Sequence, residues 1–163
     1  MTGTTRTTLT LAAILTAALA SHAAPAQAPH ASPKAAAKEP APCDLLTPDA
    51  IKTVIESPVQ PGQPGAGDCT WHDAKGETRG YLSLKDAADF HSLRSQMQAS
   101  GRLVPVTGLA GDAFFVSSTG SSAALYTLKA KRVLLLTVDG VGYSKAQNEA
   151  AEKSLAAQIL ARL

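Results

Sequence analysis

The sequence predicts an α+β fold: one domain with a mostly antiparallel sheet of about five strands packed with three helices. Three observations carry this. Apolar residues recur at helical spacing in three stretches, 51–55, 90–97 and 151–163. Short β-prone runs lie between them. The connections between those runs are mostly too short for parallel crossovers, so neighbouring strands run antiparallel.

The elements follow in order. Thr47 and Pro48 mark a helix start, a hydroxyl to cap a free N–H and a proline suited to the first helical position. Ile51, Val54 and Ile55 then share a face, and Pro58 ends the helix. Residues 61–67, rich in proline and glycine, read as a loop without regular structure. Cys69 to His72 form a short strand, Asp73 to Gly76 a turn, and Arg79 to Leu84 a second strand. A second helix begins near Asp86, with Phe90, Leu93 and Met97 on one face. Asp86 and Asp89 sit at its positive end, and Gly101 closes it. Ala113 to Ser117 is a third strand, and Ala123–Lys129 and Arg132–Val138 make a hairpin about Lys129-Ala130-Lys131. Val133 to Leu136 do not alternate, which predicts a central strand buried on both faces. The last helix opens at Ser144, with Gln147 placed for a capping box, and Ala151, Leu155 and Ile159 form its stripe, widened by Leu160 and Leu163.

At 163 residues the prior is one domain, and a formal charge of +2 without basic clusters excludes an electrostatic nucleic-acid binder. Arg6 is the only charge before the apolar run Leu9–Ala20, which is too short to span a bilayer. Small residues follow, so residues 1–23 read as a secretory signal peptide. Its removal would lower the charge to +1. Cys43 lies too far beyond that run, and behind Pro42, to be a lipoprotein cysteine. Residues 24–42 hold five prolines among Ala, Lys, Gln and Ser and read as a disordered tether, leaving 43–163 as the folded domain. No later segment is apolar enough to cross a membrane. The expectation is a protein soluble in the periplasm or outside the cell.

Two cysteines in an exported chain pair as a rule, so Cys43 and Cys69 are expected to form a structural disulfide. Closing that loop stabilises by roughly 3 to 4 kcal/mol on the chain-entropy model. Trp71, two residues on, is expected to pack against it.

Candidate chemistry is sparse. Trp71, His72 and Asp73 are the one polar and aromatic cluster that could face a ligand, with an exposed turn as the plainer reading. A metal site or a dispersed enzyme site would need His91 brought beside His72 and Asp73, and two spaced ligands are a weak metal signal. The strand–glycine–helix passage from Leu136 to Lys145 lacks both P-loop and dinucleotide spacing and reads as a turn and cap. The serine-rich stretch 117–122 lacks the strained elbow of many serine hydrolases. The basic turn Lys129, Lys131 and Arg132 reads as protection of a hairpin. No catalytic, cofactor-binding or metal residue is assigned.

The pattern Cys-Asp-Leu-Leu-Thr at 43–47, Cys-x-Trp at 69–71 and Val-Thr-Gly-Leu-Ala-Gly-Asp-Ala at 106–113 resembles exported bacterial proteins typified by actinobacterial envelope lipoproteins, with LpqN-like proteins as distant relatives. The resemblance covers roughly residues 43–163. It implies a compact α+β sandwich similar to the extrinsic photosystem subunit PsbP, with the two cysteines bonded, and it carries over no catalytic residue. Many members have a lipidated cysteine after the signal peptide, which this chain lacks. The functional expectation is a non-enzymatic envelope binding protein for an unidentified protein or small ligand. The alternatives are an inhibitor of a secreted hydrolase and an enzyme with a dispersed site at His72, Asp73 and His91.

Overall fold

Alternation of side chains along the strands divides the molecule. The structure, a computed structural model, describes residues 40–117 and 121–163. Its strands are β1 (Gln63–Pro64), β2 (Asp68–His72), β3 (Thr78–Asp86), β4 (Leu103–Val106), β5 (Asp112–Ser117), β6 (Ala123–Lys129) and β7 (Arg132–Val138). They form one sheet in the order β1-β2-β3-β7-β6-β5-β4, with every neighbouring pair antiparallel. Residues opposite one another share a face. Cys69, Leu82, Leu136, Leu125 and Phe115 therefore make one row across five strands. The adjacent row, Asp68, Ser83, Leu135, Tyr126 and Phe114, points the other way.

The first face is sealed. It is covered by α1 (Pro42–Leu45), α2 (Pro48–Ile55) and α4 (Lys145–Leu160). Ile51 and Ile55 of α2 and Leu155, Ala156 and Ile159 of α4 are almost wholly buried over that row. Each longer helix starts where its cap dictates. Thr47 Oγ1 accepts the Ala50 N–H at 3.2 Å. Ser144 and Gln147 complete a capping box, with Gln147 Oε1 accepting the Ser144 N–H at 2.9 Å. Arg162 donates to the carbonyls of Asp44 and Leu45, at 2.7 and 2.8 Å, and ties the chain's end to α1.

The second face is only partly covered. A 3₁₀ turn (Ala87–Asp89) leads into α3 (Phe90–Ala99), which packs Phe90, Leu93 and Met97 near Phe114, Val116 and Val133.

The Cys43–Cys69 disulfide is formed, with Cα atoms 5.2 Å apart, and joins α1 to β2. Trp71 is fully buried on the same face of β2 as Cys69. A Cβ on Gly62 would stand 2.5 Å from Cys69 Sγ and 2.8 Å from Trp71 Nε1, so the loop closes over both and admits only glycine there.

The expectation of about five strands and three helices in a PsbP-like sandwich is corrected to a seven-stranded sheet with four α-helices among the described residues; the mixed α+β class remains compatible. Two strands and one helix were not foreseen. β1 arises inside the proline-rich loop because Gln63 and Pro64 pair with Thr70 and Cys69. β4 holds Pro105, which an edge strand tolerates since its outward side needs no N–H. α1 is one turn, started by Pro42. β7, the fourth of seven, is the central strand, as its unbroken apolar run implies. The expected burial on both faces is corrected: Leu135 is only half-buried, because α3 leaves part of the second face bare. The expected signal peptide at 1–23 lies outside the described residues, as does the tether at 24–42 apart from residues 40–42, where Pro42 already belongs to α1.

Candidate functional site

A site with room for a ligand lies on the second face, where α3 leaves part of the sheet bare. Its apolar stripe decides its position. Phe90 packs on Phe114, with ring centroids 5.3 Å apart, and Phe114 stacks on Tyr126 at 5.4 Å and 10°. An ion pair from Arg94 to Asp112 fastens the helix to the start of β5. One stripe cannot cover the width of seven strands. Between α3 and β7 a cleft of about 390 Å³ remains, floored by Val133, Leu135 and Tyr126, walled by Leu93 of α3 and rimmed by Lys85 and Asp89.

The polar groups of this cleft are few and uncommitted. Lys85 and Asp89 make no ion pair among the described residues, whereas Asp86, also at the rim, is held by Arg132 at 2.8 Å. Tyr126 is half-buried. Burial, reinforced by Tyr81 nearby and opposed by Arg102, raises its pKa above the usual 10, so its hydroxyl stays neutral. Ser92 accepts from Gln96 at 3.2 Å and, among the described residues, makes no hydrogen bond to a base. An apolar floor with a few convergent polar groups suits binding.

The residues singled out in the sequence go elsewhere. Trp71 is sealed in the core. His72 points to the second face and approaches Thr78 Oγ1 at 3.4 Å. Asp73 is a structural carboxylate. Its Oδ1 accepts the N–H groups of Lys75 and Glu77 at 2.8 and 3.0 Å, and its Oδ2 accepts from Arg79 at 2.9 and 3.0 Å. Burial pushes its pKa up, but the Glu77 N–H, the Arg79 guanidinium and the Lys75 N–H outweigh this and hold it below 3.8. Arg79, nearly buried, also meets Glu77 and Asp139, so one cation ties the β2–β3 turn to the end of β7. The hollow beside His72 and Asp73, about 470 Å³, is more open to solvent than the cleft under α3.

His91 is exposed on α3, edge-on to Phe90 at 5.6 Å. His72 pairs with Thr78 at one end of β3, while α3 departs from Asp86 at the other. Eight residues of strand, about 27 Å, separate those ends. The dispersed site is not assembled.

Lys145 Nζ donates to Ser117 Oγ and lies 4.0 Å from Glu149 Oε1. An ammonium that donates to a hydroxyl is not its base. The Gly140 N–H, at the phosphate-like turn, is already taken by Asn148 Oδ1 at 3.0 Å. Lys129 caps the last turn of α4 through Leu160 O, more than the solvent role expected of it. Among the described residues no cluster of three or more His, Cys, Asp or Glu could hold a metal, and no helix is long and apolar enough to cross a membrane.

Lys85, Tyr126 and Leu135 were not singled out in the sequence. The available signal was α3 itself: its apolar stripe is too short to roof the strands that flank Leu135.

Compared with models of protein families, with curated proteins and with solved structures, the chain gives no match.

Proposed function

We propose that this chain is a binding protein of the bacterial cell envelope, exported to the periplasm or beyond, and that the cleft under α3 holds a small ligand with an apolar body. The cleft carries this reading: apolar floor, neutral tyrosine hydroxyl, and one cation and one carboxylate at the rim without ion-pair partners among the described residues. The disulfide supports an oxidising compartment, where such bonds persist. The resemblance of the cysteine and tryptophan motifs to envelope proteins points the same way.

Filling the cleft tests the proposal. The probe is 1-anilinonaphthalene-8-sulfonate, an apolar ring system bearing one anion. Its fluorescence should rise on binding the folded wild type. Leu135→Trp, at a half-buried floor position, should weaken that binding at least about tenfold while leaving thermal stability within about 1 kcal/mol. Equal binding by both proteins would sink the proposal, because the probe would then sit elsewhere.

A further inference from the structure

The end of β7 lacks a strand on one side. Val138 pairs with Gly80 of β3, but on the opposite side β6 stops pairing with β7 at Leu125 and Leu136. The backbone N–H groups of Val138 and Gly140 therefore need other acceptors. Helix α4 supplies both. Glu152 Oε1 accepts the Val138 N–H and Asn148 Oδ1 accepts the Gly140 N–H, each at 3.0 Å. Positions 148 and 152 are one turn apart on a helix, and 138 and 140 are two apart on an extended chain, so the periodicities match. The helix completes the ladder that the strand cannot.

The two caps are chemically unequal. Asn148 is uncharged, and its amide nitrogen also donates to Ser121 O and Asp139 Oδ1, both at 3.2 Å. Glu152 is equally buried, yet its Oε2 has no hydrogen-bond partner among the described residues. The elements packed on α4 offer Glu152 no cation. The inward residues of β7 are Leu134, Leu136 and Val138, and those of β6 are Ala123, Leu125 and Thr127. From α2 the inward residues are Ile51 and Ile55, while Asp49, Lys52 and Glu56 face solvent. Lys129 and Arg132 belong to the far end of the hairpin, held by Leu160 O and Asp86. Asp139, just past Val138, is held by Arg79 and Asn148. On α4 itself, Lys145 is held by Ser117 and Glu149, Lys153 is exposed, and Glu149 brings a like charge.

We propose that Glu152 is a proton-operated latch, closed on β7 as the neutral acid and loosened when the acid ionises. Burial, offset in part by the Val138 N–H and reinforced by Glu149, lifts its pKa from 4.5 to about 8. The sign follows from linkage. The folded chain keeps a proton that the unfolded chain releases above about 4.5. The stabilisation is complete below that pH and is lost as pH rises through about 8.

The test is thermal unfolding of the oxidised protein from pH 5 to pH 9.5, for wild type, Glu152→Gln and Glu149→Gln. Glutamine keeps the carbonyl that accepts from Val138 and cannot ionise. Wild-type Tm should fall by roughly 10 °C relative to Glu152→Gln across this range, and Glu149→Gln should stay stable to higher pH than wild type. Amide exchange at Val138 in the wild type should accelerate beyond the intrinsic base-catalysed rise. Parallel Tm profiles for wild type and Glu152→Gln would overturn the latch. So would a Val138 amide equally protected at both ends of the range, a reading that stands even if the glutamine variant fails to fold.

Discussion

One face of the sheet is closed by α1, α2 and α4 over twenty buried residues, whereas the other carries α3 above a cluster of four, counted among the described residues. The same strands build both. Leu134 and Leu136 of β7 vanish into the closed face, and Leu135 between them floors a cleft. Packing on the first face is redundant: two longer helices, a disulfide and the Arg162 tie converge on it. On the second face one helix of ten residues is held by a short aromatic stack and the Arg94–Asp112 pair. Stability resides in the first face, which leaves the second free to carry the proposed binding surface.

Paired truncations in β7 break this comparison most directly. Leu136→Ala empties a fully buried site and should cost about 2–5 kcal/mol by chemical denaturation. Leu135→Ala removes the same atoms from the half-buried cleft floor and should cost less than about 1 kcal/mol. Equal costs would mean that the second face is as tightly packed as the first. A smaller effect of opposite sign belongs to Thr127. It lies wholly buried on the closed face, and its Oγ1 has no hydrogen-bond partner among the described residues. Thr127→Val replaces that hydroxyl with a methyl of similar size and should stabilise by about 1 kcal/mol. A destabilised variant would show that the hydroxyl is satisfied in solution.

What could be read in the sequence follows the same division. The closed face was legible because burial there writes itself as periodicity: Ile51 and Ile55, the unbroken run through Leu134 and Leu136, and Leu155 and Ile159. The Ser144–Gln147 box and the pairing of Cys43 with Cys69 were legible because they are local or compositional rules. The edge strands were not. Gln63 and Pro64 carry no strand propensity and pair only because β2 presents an open edge, a non-local cause. The cleft was missed for a related reason, since it is a space that α3 fails to cover and no residue pattern encodes a gap. At His72 and Asp73 residue types alone did not separate a ligand-facing cluster from a turn, and Asp73 serves a turn and Arg79. Glu152 and Asn148 were readable in principle: both fall within the stripe of Ala151, Leu155 and Ile159, where a buried polar side chain signals a specific partner.

Helix starts sharpen the comparison at the lowest energy. Helix α4, on the closed face, has its first turn fixed by a reciprocal capping box. Helix α3 begins after a 3₁₀ turn, and Asp89 at its N-cap makes no side-chain capping bond. Ser144→Ala removes the hydroxyl half of the capping box and leaves the Gln147 N–H only its 3.1 Å bond to the Ser144 carbonyl, so it should cost about 1 kcal/mol. Asp89→Ala removes no capping bond and should change stability by no more than about 0.5 kcal/mol. The same substitution takes away the carboxylate at the cleft rim, so its effect should appear in binding. Removing that negative charge should strengthen capture of the anionic naphthalene probe and leave Tm nearly unchanged. A loss of stability as large as that of Ser144→Ala would instead make Asp89 a structural cap in solution, and the rim would lose its free charge.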